Sequence, residues 1–177
     1  MTDRLRSIAV GLALALAIAS GCTGSDDDGA TDVDSSVDAP DFVTDVRAAI
    51  AAVEEELGEG QEFFEVTSNE QFVNVFVAVD DGTAAVPYLF VDGELEAPAP
   101  RRDGAEGFTF TADDVLFDAG AVLSGVDEEL PTTSIDALSV YGDGVGAIYV
   151  LAGSSEVGGF LDIQVSPAGD IISVDPV

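Results

Sequence analysis

The chain has 177 residues, of which 35 are acidic and 5 basic, for a formal net charge of −30. All five cations are Arg, Cys22 is the single cysteine, and His, Lys and Trp are absent. These counts exclude His-dependent triads, His-ligated metals, Lys Schiff bases, Walker lysines and any disulfide within the chain, and they disfavour nucleic acid as a partner.

Residues 1–21 read as a signal peptide. Arg4 and Arg6 form a positive start, Ile8 to Ala19 is a 12-residue apolar stretch, and Ser20-Gly21 places small residues before Cys22. Twelve residues fall short of the roughly 20 that span a bilayer as a helix. Ala19-Ser20-Gly21-Cys22 resembles the lipobox of bacterial lipoproteins, with Ala19 where that class usually has Leu. The resemblance covers residues 1–22. It implies cleavage before Cys22, lipidation of Cys22, a membrane anchor and display of the rest of the chain on the extracytoplasmic side. Two or three acyl chains hold far better than one, at about 0.8 kcal/mol per buried CH₂.

Residues 22–41 follow as an acidic tether. Asp, Ser, Gly and Thr dominate it, so it has little to bury. A flexible chain of this length spans on the order of 25 Å, and more when self-repelling. A calcium loop starting at Asp32 would need Gly and Glu where Val37 and Val43 stand. Loosely condensed cations are expected there, with no defined metal and no cofactor.

Beyond the tether 47% hydrophobic content overall supports a packed domain. Residues 41–57 align with residues 114–130 without a gap, with seven of 17 positions identical, among them Asp41/Asp114, Val53/Val126 and Leu57/Leu130. Turn and strand signals also recur downstream. The pattern predicts an α+β fold: a tandem duplication of a helix plus a four-stranded antiparallel sheet, with the helices packed on one sheet face. The first repeat is 42–97, the connector 98–113 and the second repeat 114–177.

Phe42, Val46, Ile50, Val53 and Leu57 give the first helix one apolar stripe, and Gly58 is a natural stop. Thr111 with Asp114 resembles a capping box opening the second helix, whose stripe is Val115, Ala119, Val122 and Val126. Gly120 and Gly125 weaken that helix by about 1 kcal/mol each. Strands are predicted at 62–67, 72–79, 85–91 and 94–97, then at 135–141, 145–152, 159–165 and 170–174. Gly142 to Gly146 has the glycine density of a phosphate loop, but it lies between strands with no Lys and reads as a hairpin turn.

Alternation places Leu89, Val91, Ile163 and Val165 on the helix-covered face and Tyr88 and Phe90 on the other. Strands apolar on both faces are either covered on both sides or display an aromatic patch; on the second reading Phe63, Tyr88 and Phe90 are the candidate partner-binding face, and burial of all three would remove its main support. The tandem layout is similar in outline to beta-lactamase-inhibitory protein, which binds enzymes on a concave sheet, and to cystatin-like and PepSY-like helix-on-sheet folds. No motif residue carries over from any of them. The functional expectation is a lipid-anchored, non-catalytic module for a protein or glycan partner. A structural envelope protein without a ligand is the alternative. A carboxylate-based hydrolase is more remote, because among 35 acids nothing singles out a pair.

Overall fold

The computed structural model describes residues 41–156 and 158–177. The expected signal peptide, Cys22 and all but the last residue of the tether lie outside them. The chain enters on helix α1 (Asp41–Leu57) and continues through β1 (Glu62–Asn69), β2 (Val73–Val79), β3 (Ala84–Val91) and β4 (Glu94–Leu95). Short strands β5 (Arg102–Asp103) and β6 (Phe110–Thr111) lead to a 3-10 turn at Ala112–Asp114 and helix α2 (Ala119–Glu129). Strands β7 (Thr133–Gly142), β8 (Ala147–Ser155), β9 (Phe160–Val165) and β10 (Ile171–Pro176) complete the chain.

The strands form one ten-stranded antiparallel sheet ordered β10-β9-β8-β7-β1-β2-β3-β4, with β5 beside β3 and β6 beside β1. This overturns the predicted duplication of a helix-plus-four-strand unit. β1 pairs with β7 over five residue pairs, from Glu65↔Tyr141 to Asn69↔Ala137, so the backbone ladder is unbroken where two units would meet. The expected connector is itself built into the sheet through β5 and β6.

Short turns set the registers. Asp92 adopts φ 52° and Gly93 φ 83°, the positive values that a tight hairpin requires. In the β7–β8 turn the Asp143 carboxylate accepts from the N–H groups of Val145 and Gly146, at 2.8 and 2.9 Å. These two bonds hold its pKa below the usual carboxylate value.

One face of the sheet carries the core. Val66, Val75, Tyr88, Val140, Tyr149 and Val165 share a cross-strand row, and all are buried. Phe42, Val43, Val46, Ala49, Ile50 and Val53 of α1, with Val122, Leu123 and Val126 of α2, join the same cluster. α1 matches its predicted stripe except at Leu57, which is 42% exposed. Ser68 is the buried polar side chain of this core, and its hydroxyl donates to the Phe42 carbonyl at 2.7 Å.

The second helix starts later than predicted. The Asp114 carboxylate accepts from the Thr111 N–H and hydroxyl, at 2.8 and 2.9 Å, but this cap opens only the 3-10 turn. α2 begins at Ala119, where the Asp118 carboxylate accepts from the Ala121 N–H at 2.8 Å. Val115 therefore packs from the intervening loop.

The two sheet edges differ. The outer side of β3 is covered by β4 and β5. β10 is an open edge, with a bulge between Ile171 and Ser173 and Pro176 at its end.

Candidate binding face

The three residues expected to form a partner-binding face are in the core. Phe63 is fully buried, and Tyr88 and Phe90 are each 6% exposed. Tyr88 pairs with Val75 and Phe90 with Val73, which puts both on the helix-covered side. Phe63 packs on Phe110 with ring centroids 5.8 Å apart. The predicted facing of β3 is thus inverted: Leu89 and Val91 lie on the other side, while Ile163 and Val165 are on the covered side as expected. A shift of one residue in a strand exchanges its faces completely. β3 reads AAVPYLFV, with no polar residue to fix its parity.

The opposite face of the sheet carries neither helix; Phe76, Tyr141, Ile148 and Val150 keep partial exposure there, while Ala85 and Pro87 of β3 are buried. One row runs Leu89, Asn74, Thr67, Ser139, Val150, Gln164 and Ser173 across seven strands. At strand spacing this is about 29 Å. The Thr67 and Ser139 hydroxyls are 3.3 Å apart in its middle. The adjacent row runs Pro87, Phe76, Glu65, Tyr141 and Ile148. On the other side of the first lies Asn69, Ala137, Ala152, Asp162 and Asp175.

This surface is an apolar and hydroxyl-bearing field with three carboxylates. Glu65 accepts from the Thr67 hydroxyl at 2.6 Å. Asp162 and Asp175 are direct cross-strand partners, a like-charge pairing that costs stability. Burial, then the charges of Asp162 and Glu65, raise the Tyr141 hydroxyl above its ordinary value of 10.0. Among the described residues no ion pair reaches these three carboxylates. Arg101 pairs with Asp80 and Asp103. Arg102 of β5 pairs with Ala85, which puts it on this face at the far sheet edge, remote from Asp162 and Asp175. Arg47 belongs to α1, where its guanidinium stands 5.4 Å from the Phe117 ring centroid and donates to the Phe117 carbonyl at 2.6 Å.

Phe76, Tyr141, Ile148 and Val150 went unmarked as candidates. The available signal was β2, whose Phe76 and Ala78 alternate with Val75 and Val77 so that both faces are apolar. A strand apolar on both faces in a sheet with helices on one side must leave one apolar face open.

A concavity of about 500 Å³ lies where α1 begins, lined by Asp41, Asp45, Glu70 and Asp92 around Phe42, Phe72 and Phe90. Burial, and next the neighbouring Asp41, raise the Asp45 pKa. Among the described residues no group of three or more His, Cys, Asp or Glu is placed to hold a metal ion.

No protein-family description and no curated protein sequence matches the chain. In fold it is similar to the crystal structure of a putative lipoprotein from Clostridium difficile 630, with a TM-score of 0.58 at 12% identity over 73% of this chain and 90% of that one. At this identity the likeness is one of fold.

Proposed function

We propose that the protein is a cell-envelope lipoprotein, anchored through lipidated Cys22 on the extracytoplasmic side, whose domain binds a protein or glycan partner without catalysing a reaction. The observation that carries this reading is the single cysteine of the chain, placed directly after Ala19-Ser20-Gly21 and a 12-residue apolar stretch. The fold likeness to a chain described as a putative lipoprotein supports it. The uncovered face of the sheet supports the binding role, because a broad partly apolar surface rimmed by polar groups is the usual character of an interaction site. The absence of His and Lys supports a non-catalytic module. Palmitate labelling and membrane fractionation of Cys22→Ala test the anchor. Loss of label and release into the soluble fraction are expected, and unchanged membrane association would overturn it.

A further inference from the structure

The binding reading leaves open what the uncovered face takes. We infer that it docks a basic protein, whose lysines meet Glu65, Asp162 and Asp175 while an apolar patch covers Tyr141, Phe76 and Val150. This rests on the module reading above and names its partner.

Charge complementarity is the first argument. From residue 42 onward the chain has 27 acids and three Arg. Among the described residues the ion pairs are those of Arg101, so none of them neutralises the three carboxylates of this face. The ladder register holds Asp162 directly opposite Asp175. Two like charges held together and unneutralised gain from a cation that a partner brings, and such charge pairs across an interface set orientation and association rate.

The second argument is the surface between them. Glu65 sits in one row between Phe76 and Tyr141, so a lysine reaching it lays its methylenes along apolar side chains. Tyr is favoured at the centres of protein interfaces, where its ring is covered and its hydroxyl bonded. A glycan fits less well. The chain has no Trp, and of its three Tyr only Tyr141 is outside the core. A neutral sugar would leave the carboxylates uncompensated, and an anionic one would be repelled.

The absence of Lys gives a direct test. A water-soluble carbodiimide joins carboxylates to lysine amines, so any lysine adduct on this chain comes from another protein. Envelope membranes bearing the full lipidated chain are treated, and the modified acids are mapped by mass spectrometry. Adducts concentrated on Glu65, Asp162 and Asp175 are expected. Their yield should fall about tenfold in Tyr141→Ala, as for the truncation of an interface anchor, and be unchanged in Glu55→Gln on the exposed side of α1. Thermal melting of Tyr141→Ala, with Tyr141→Phe as the milder variant, checks that the fold persists. Adducts at equal yield on Glu54–Glu56 and Asp127–Glu129, or insensitive to Tyr141→Ala, overturn the inference. Retention on insoluble cell-wall polysaccharide that depends on Tyr141, without adducts on the face, overturns the basic partner while sustaining the module. Neither adducts nor retention overturns both, leaving the Cys22 anchor to its own test.

Discussion

The Tyr149 hydroxyl donates to the Asp114 carbonyl at 3.0 Å and accepts from the Leu116 N–H at 3.0 Å. One side chain of β8 thereby fixes both ends of the chain's exit from the 3-10 turn. Its ring stacks at a tilt on Phe117, 5.2 Å between centroids. Tyr149→Phe keeps that ring and strands two backbone groups. We expect a loss of about 1–3 kcal/mol, seen as a lower urea midpoint with an unchanged m value.

The two glycines of α2 should respond with opposite signs. A Cβ at Gly125 would meet the Gly169 carbonyl oxygen at 2.2 Å, and one at Gly169 would meet the Ala121 carbonyl oxygen at 2.3 Å. The helix and the β9–β10 turn touch backbone to backbone. Gly125→Ala should therefore cost about 1–3 kcal/mol despite its better helix propensity, because both elements must separate. At Gly120 the nearest atom to a Cβ is the Asp118 Oδ1 at 3.4 Å, ordinary contact. Gly120→Ala should stabilise by up to about 1 kcal/mol. Paired thermal melts of the two variants check the sign reversal.

Asp45 makes stability depend on pH in a defined direction. Burial and Asp41 raise its folded pKa above 3.8, so its stabilising contribution is fully present below that value and is lost as pH rises through the folded pKa. Asp45→Asn should melt higher than the parent at pH 7 and show no advantage at pH 3. An equal gain at both values would contradict the assignment.

Salt should stabilise the domain. With 27 acids against three Arg from residue 42 onward, self-repulsion opposes the compact state, and its screening length falls from roughly 10 Å at 0.1 M to about 3 Å at 1 M salt. The melting temperature is expected to rise across that range. A flat profile would mean that the acids are too widely spaced to repel.

α1 was legible because its stripe from Phe42 to Val53 has helical period, and the turns because Asp-Gly and Gly-Asp-Gly mark hairpins. The site was not. β3 is apolar on both faces, so local alternation could not say that Tyr88 and Phe90 point inward. The sheet's continuity comes from β1 meeting β7, a pairing of residues more than 60 apart that no local pattern announces. Asp114 reads as a helix cap and does cap, but Val115 to Asp118 intervene before α2. Tyr141 joins Glu65 only through that same long-range register. Gly125 looked like a defect of its helix until the approach of Gly169 gave it a reason.

The open edge of the sheet sets a limit on self-assembly. Val177 donates its N–H to Phe160 on β9, so alternation turns Val174 and Pro176 outward. Pro176 has no N–H, and the bulge at Ile172 breaks the spacing further along. An arriving strand finds one outward donor in the regular part of β10, at Val174, instead of a ladder. Strand-to-strand addition of a second copy at this edge is thereby disfavoured.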